Sequence, residues 1–477
     1  ASDSCDNYRK RDEGPVESGR SAEVVYEGVR MSNKKRTLNP TVSVFSVIFF
    51  ACGCSTVHTD STVQDTELGN DSERCEWFMD QALGMFVHWS VDSQLGSVIS
   101  HSMVGASDDY LDRFVNDLPR SFYPDKFDPD QWARLAKLAG MKYVVFTTKH
   151  HSGFCMYDTK TTDFNVMNTP YGRDITRQIV KSFRKHGLSV GFYFSPDDFW
   201  VLHKQDKDVS RRRPEALPTN NPELMAHNKA QLRELLSNYR PIDMLFLDGE
   251  PDELKQLAWK MQPDILVTRG EMETPEQKMP DEPIPGPWEA CFTLGTQWHF
   301  KPTNEDYKSG TKLIEMLIEI RAKGGNFLLN VGPQPNGVIP FEQERRMREL
   351  ALWLFVNGEA IYEIRPWRVI REDNIWFTRA KNSDTVYAFV TGIYDWKKGD
   401  RKSFTLDSVR ATDRTEIELL GQSGRVLEYS PSVNPKATWT QDEDGLHISV
   451  MRAQRIYNDT KWPNPVVIKI TNAKANE

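Results

Sequence analysis

The residues best able to do chemistry fall in short clusters along the middle of the chain. They are His88-Trp89, Lys149-His150-His151, Tyr193-Phe194-Ser195 with Pro196-Asp197-Asp198 behind it, Asp248-Gly249-Glu250, and Arg269 followed by Glu271, Glu273 and Glu276. Trp288-Glu289, Trp298-His299 and Asn330 complete the set. Taken singly, each has an ordinary explanation. Asp-Gly is a common turn, a lone histidine is commonly a buried hydrogen-bonded one, and tryptophans pack. Arg211-Arg212-Arg213, in the charged loop from His203 to Pro218, reads as a solvated run. Taken together, histidines, an arginine, carboxylates and aromatic rings suit a neutral polyhydroxylated ring. Hydroxyls need donors and acceptors in a fixed pattern, and the apolar faces of a sugar need a stacking surface. Two carboxylates in such a site are the parts with which glycosidic bonds are hydrolysed. His150 and His151 are adjacent, and adjacent residues on a strand point to opposite faces, which is poor spacing for chelation. No metal and no cofactor is expected.

The elements that position these clusters follow a repeat of amphipathic helix, Gly or Pro stop, and short apolar strand. One copy starts at Asp128-Pro129, an N-cap followed by a proline at the first helical position. Trp132, Leu135 and Ala139 form its inner stripe, Gly140 stops it, and Tyr143–Phe146 is the strand. Further copies carry Ile175, Ile179 and Phe183 before Val190–Phe194, and Leu224, Leu232, Leu235 and Leu236 before Met244–Leu247. Two more carry Leu254, Leu257 and Met261 before Ile265–Val267, and Leu313, Met316, Leu317 and Ile320 before Phe327–Val331. Nearly continuous apolar strands fit a parallel sheet covered on both faces. With Met85–Val87 and a weaker candidate at Ala290–Phe292, the pattern predicts a (β/α)8-like barrel, a doubly wound open sheet being the alternative. In such a barrel the reactive groups lie just past the C-terminal ends of the strands, where most of these clusters fall.

Beyond Trp367 the period changes to short alternating segments, such as Ile375–Thr378, Val386–Val390 and Val466–Ile470, with Gly, Asp and Asn turns between them. That predicts a C-terminal all-β sandwich. The expected division is a leader over 1–72, an α/β domain over 73–366 and a β domain over 367–477. In the leader, Lys34-Lys35-Arg36 precedes an apolar run from Thr41 to Ala51 and the small residues up to Cys54. The stretch 31–55 reads as a secretory signal, and Cys54 as a lipid-modified terminus in a loose match to a bacterial lipobox. The expected location is the periplasm, or the outer membrane through a lipid anchor. The chain of 477 residues carries 60 Lys and Arg against 68 Asp and Glu, so no basic excess exists to neutralise nucleic acid. The six cysteines are scattered without CxxC pairs and imply neither a disulfide framework nor a zinc site.

Several segments, in order, resemble the glycoside hydrolase family 29 α-L-fucosidases. They are Gly84-Met85-Phe86-Val87-His88-Trp89, Lys149-His150-His151-Ser152-Gly153-Phe154, Phe246-Leu247-Asp248-Gly249, Lys323-Gly324-Gly325-Asn326-Phe327-Leu328-Leu329-Asn330-Val331-Gly332-Pro333 and Val356-Asn357-Gly358-Glu359-Ala360-Ile361-Tyr362. The likeness covers about residues 77 to 367, and such enzymes carry a β-sandwich behind a (β/α)8-like barrel. It implies a retaining exo-glycosidase that releases terminal α-L-fucose from oligosaccharides or glycoconjugates, with Asp248 as nucleophile. Glu276 is implied as acid/base, with Glu289 as the alternative. His88, His150, His151 and Arg269 are implied as sugar ligands, and Tyr193 and Trp298 as pocket walls. The chain departs from the family at Gln297-Trp298-His299-Phe300 and at the stretch from Ser97 to Gly105, which lacks the family's Trp and Glu. These departures leave the role of Asp248 intact but make relaxed specificity for related galacto-configured glycosides an alternative; a non-catalytic surface glycan-binding protein is a separate one.

Overall fold

The computed structural model describes residues 68–427, 430–453 and 464–476. The expected signal at 31–55 and its Cys54 lie outside the described residues. Seven strands form one parallel sheet: β1 (Leu83–Val87), β2 (Tyr143–Lys149), β3 (Ser189–Phe194), β4 (Met244–Leu247), β5 (Leu266–Val267), β6 (Glu289–Thr293) and β7 (Asn326–Val331). Their order, β5-β4-β3-β2-β1-β7-β6, is that of a (β/α)8-like barrel with one position unfilled by a regular strand. The segment after β5 takes that place. Gln277 N–H donates to Cys291 O at 3.0 Å and Cys291 N–H to Pro275 O at 3.0 Å, so residues 275–277 pair with β6 in a parallel bridge at Glu276.

The helices begin and end where their chemistry dictates. Asp128, Asp174 and Asn221 each accept the backbone N–H three residues on, capping helices Pro129–Leu138, Ile175–Lys185 and Pro222–Asn238. Trp132, Ile179, Phe183, Leu232 and Leu235 are buried against the outside of the sheet. Inside the barrel, Phe78, Tyr143, Val145, Met244, Leu266 and Leu328 pack beneath Tyr193, Phe246 and Phe86. Gly84 leaves room for the Tyr143 ring, which would lie 2.3 Å from a Cβ placed there. Helix Ser72–Gln81 closes the bottom, its Phe78 ring 5.8 Å from that of Tyr143.

The antiparallel region begins at Ile364, with β8 (Ile364–Glu372), β9 (Ile375–Ala380) and β10 (Val386–Val390). It continues with β11 (Arg401–Leu406), β12 (Val409–Arg410), β13 (Ile417–Leu419), β14 (Thr438–Gln441), β15 (Leu446–Met451), β16 (Val466–Ile470) and β17 (Lys474–Ala475). A five-stranded sheet, β13-β16-β10-β9-β8, faces a three-stranded one, β11-β15-β14. Phe377, Ala388 and Ile468 point into the sandwich with Leu446 and Ile448. Their alternating neighbours Trp376, Tyr387, Phe389 and Val467 belong instead to the core of the barrel. Trp353, from helix Phe341–Asn357, meets this second face, its ring 6.5 Å from Phe389 and its Nε1–H donating to Pro465 O at 2.8 Å.

Candidate active site

Asp248 stands just past the end of β4, its N–H donating to Phe194 O at 3.1 Å. The carboxylate is held from both sides. Oδ2 accepts from Tyr193 OH at 2.7 Å and lies 3.4 Å from His151 Nε2. Oδ1 lies 3.5 Å from Arg269 Nε and 3.7 Å from Arg211 Nη2. Burial alone would raise its pKa, but the neighbouring His151, Arg269 and Arg211 hold it well below the usual carboxylate range. Asp248 is therefore an anion at neutral pH, with its side chain 17 % exposed to the cavity.

The histidines divide their work. His151 is fully buried behind Asp248; Nδ1 is 2.5 Å from Ser195 Oγ and 3.5 Å from Asp197 Oδ2. Its other ring nitrogen, Nε2, faces the Asp248 carboxylate and has no hydrogen-bond partner among the described residues. His88 Nδ1 donates to Asn330 Oδ1 at 2.7 Å, since the amide nitrogen of Asn330 donates elsewhere, to Trp298 O. Burial takes the His88 pKa down to about 3, so the ring is neutral and Nε2 remains an acceptor. His150 stacks on Tyr193 at 5.0 Å, and its Nδ1 has no hydrogen-bond partner among the described residues. These are free valences suited to sugar hydroxyls. Trp298, 4.9 Å from His88, makes a wall with Phe86 and Phe246 around a small open cavity.

Local structure explains why two adjacent histidines face one site. β2 ends at Lys149, so His150 and His151 lie in the turn beyond it, and the opposite-face expectation does not apply. Lys149 itself turns away into a fully buried pair with Asp198 at 3.1 Å, supported by Asn228 at 2.9 Å. Gly153 closes the turn at φ +86°, where a Cβ would come within 2.3 Å of Asp198 Oδ1. Donor atoms of His150, His151 and Asp248 lie within 4.8 Å of one another. Two guanidinium groups already border that carboxylate, which opposes a cation there but not a neutral hydroxylated ligand.

Of the two candidate acids, only one reaches the cavity. Glu276, on the irregular strand position, accepts from Arg269 Nη1 at 2.7 Å, so a single guanidinium spans Glu276 and Asp248. Glu289 lies beneath the pocket at the start of β6, fully buried, accepting from Tyr143 OH at 2.9 Å. Burial, opposed in part by the Thr268 and Tyr143 hydroxyls, raises its pKa to about 7. Cys291, two residues on, lines the pocket instead. Glu271 pairs outward with Lys255 at 3.0 Å. Trp89 is a core residue, 5.3 Å from Trp132, and Trp288 is buried against Gly325.

Arg211 corrects a further expectation. It is no solvated charge: Nε donates to Asp197 Oδ2 at 2.7 Å, and the side chain lines the cavity. Ser100, in the segment that departs from the family pattern, lines it too. Nothing local in the sequence marks Arg211, because the contact joins a long loop to two other strand ends.

A parallel barrel presenting an ionised aspartate and a second carboxylate across a shared arginine, among histidines with unpartnered ring nitrogens, fits a glycoside hydrolase. The comparison with known proteins is specific. The chain belongs to the α-L-fucosidase family, whose model, described as Alpha-L-fucosidase, matches residues 51–359. It is 30 % identical over 432 residues to plasma alpha-L-fucosidase of Rattus norvegicus, covering 81 % of this chain and 89 % of the relative. It is similarly 29 % identical over 420 residues to human tissue alpha-L-fucosidase, covering 78 % and 84 %. Among solved structures, alpha-L-fucosidase isoenzyme 1 from Paenibacillus thiaminolyticus superposes with a TM-score of 0.68 at 29 % identity, over 85 % of this chain and 99 % of that one.

Proposed function

We propose that this enzyme releases terminal α-L-fucose from oligosaccharides or glycoconjugates by a retaining double displacement, with Asp248 as nucleophile and Glu276 as acid/base. The observation that carries the reading is the Asp248–Arg269–Glu276 bridge at the cavity wall. In the first step Asp248 attacks the anomeric carbon, the bond to the leaving oxygen breaks, and Glu276 protonates that oxygen. In the second, Glu276 takes a proton from water, which attacks the same carbon and frees Asp248. Arg269 and Tyr193 keep the carboxylate oriented, and the Asp248 anion stabilises the oxocarbenium-like positive charge that develops on the sugar. His88 Nε2 and His150 Nδ1 serve the sugar hydroxyls, and the Phe86, Phe246 and Trp298 rings suit the apolar face and methyl group of a 6-deoxy sugar.

The test is hydrolysis of 4-nitrophenyl α-L-fucoside by wild type and Asp248→Ala. Turnover is expected to fall on the order of 10³–10⁵-fold, with rescue by azide and formation of β-fucosyl azide. Undiminished turnover in the variant would overturn the assignment. Galacto-configured nitrophenyl sugars alongside decide between strict and relaxed specificity. The basic n-region, apolar run and small residues before Cys54 further support export with a lipid anchor. Palmitate labelling lost in Cys54→Ser is the expected result, and unchanged labelling would refute the anchor.

A further inference from the structure

We propose that Arg211 is a specificity-determining residue of this enzyme, donating from its terminal amino groups to a ring hydroxyl of the fucosyl unit held at Asp248. This rests on the glycosidase reading above and adds a sugar contact supplied by a loop rather than by a strand end.

Arg211 lies between helix Phe199–Lys204 and helix Pro222–Asn238, away from any strand of the barrel, yet it is anchored at the pocket. Its Nε donates to Asp197 Oδ2 at 2.7 Å. Asp197 is held in turn: its side chain is buried and its carbonyl accepts from Ser195 Oγ at 3.1 Å. The next residue, Asp198, caps helix Phe199–Lys204 by accepting Val201 N–H at 3.0 Å. With Nε committed, Nη2 stands 3.7 Å from Asp248 Oδ1, beyond hydrogen-bond distance. Neither terminal nitrogen donates a hydrogen bond to any of the described residues, and the side chain lines the cavity at 30 % exposure.

The charges balance. Asp197 and Asp248 flank Arg211 as Asp248 and Glu276 flank Arg269, so the pocket holds no surplus positive charge and suits an uncharged ligand. Such a ligand needs donors as well as acceptors. His88 Nε2 is an acceptor, Tyr193 OH is committed to Asp248 at 2.7 Å, and Arg269 Nη1 to Glu276 at 2.7 Å. A sugar hydroxyl that donates to a histidine still presents lone pairs that call for an N–H or O–H. Of the five N–H groups of the Arg211 guanidinium, only the one on Nε is committed. Because the fork is anchored before the sugar arrives, little side-chain freedom is lost on binding. A sugar that lacks the matching hydroxyl leaves a charged donor unpaired, and that penalty is what discriminates between substrates.

The experiment compares 4-nitrophenyl α-L-fucoside with the three analogues that each lack one ring hydroxyl, on wild type, Arg211→Gln and Arg211→Lys. Removing a hydroxyl alters the intrinsic reactivity of the sugar, but that change is common to the three proteins. It cancels when parent-to-deoxy ratios of kcat/KM are compared between them. At one hydroxyl the wild-type ratio should fall about tenfold in Arg211→Gln, as loss of a hydrogen bond to a charged group would give, with the other two ratios unchanged. Arg211→Lys keeps the charge without the fork and should fall in between. A role in packing, or in the ionisation of Asp248 alone, slows all four substrates alike and leaves every ratio as in wild type; that result overturns the proposal. Should Arg211→Gln not fold, the ratios of Arg211→Lys decide by the same criterion. If wild type hydrolyses none of the four, the fucosidase reading fails. The contact is then decided by calorimetric titration of L-fucose and its three deoxy analogues into wild type and Arg211→Gln: a difference confined to one hydroxyl upholds it, and equal ratios or no binding overturn it.

Discussion

Asp248 and Glu289 are both carboxylates inside the barrel, one strand layer apart, yet their surroundings drive them in opposite directions. At the mouth, His151, Arg269 and Arg211 outweigh burial and keep Asp248 charged. One layer down, Glu289 has hydroxyl neighbours, Oε1 lacks a hydrogen-bond partner, and burial raises its pKa to about 7. A raised carboxyl pKa is the usual mark of a general acid. Here it belongs to a group buried beneath the pocket, while the proposed acid Glu276 lines the cavity. Reach comes before pKa in assigning the proton donor.

The strongest way to break this contrast is to exchange the two glutamates' expected phenotypes. Glu276→Gln should lower kcat/KM for natural fucosides about 10²–10⁴-fold, with a smaller loss on aryl fucosides that need little protonation. Glu289→Gln should stay within about tenfold, and the reverse pattern would move the acid beneath the pocket. Next in size, His88→Ala removes a neutral ring that lines the cavity and should cost about 10–100-fold in kcat/KM. An unaltered value would exclude His88 from the sugar site.

Stability sharpens the same comparison. The folded protein holds the Glu289 proton more tightly than the unfolded chain, where the pKa is about 4.5. Wild type should therefore lose up to about 3 kcal/mol relative to Glu289→Gln as pH rises from about 4.5 to about 7, with no further change above. Denaturant titrations across that range check the slope; a flat difference would mean that Glu289 is ionised in the folded state. The smallest effect is expected at the rim. Arg213 and Asp208 are 60 % and 62 % exposed, so Arg213→Gln should change stability by less than about 0.5 kcal/mol and leave hydrolysis as it was.

The barrel was legible because its strands are short apolar runs behind capped helices, and the burial of Ile179, Leu232 and Leu317 follows the predicted stripes. The start of the sandwich was harder to see. β8 mixes Arg, Pro and Trp and is only partly buried, so it lacks a clean alternation, and β14 is exposed along its whole length. At the site, residues just past strand ends could be found by position alone, as Asp248, His88 and Arg269 were. Glu289 carried its own warning, since it precedes the apolar run of β6 and so enters the barrel from below. Glu276 was reachable through resemblance, but its place beside β6 depends on two backbone hydrogen bonds that no side-chain pattern announces. Arg211 and the buried His151–Asp197 contact depend on loops meeting in space, and local periodicity carries no such information.

The strands β9, β10 and β16 expose no face to water along their middle: one row of side chains belongs to each interior. Barrel and sandwich thus share a wall, as two rooms do, and neither can melt while the other keeps its packing. Heating should give one calorimetric transition for both rather than a step for each. Cutting the chain after Glu372 would bare the ring of Trp353 and the helix around it, leaving a sticky, aggregation-prone barrel in place of a smaller working enzyme.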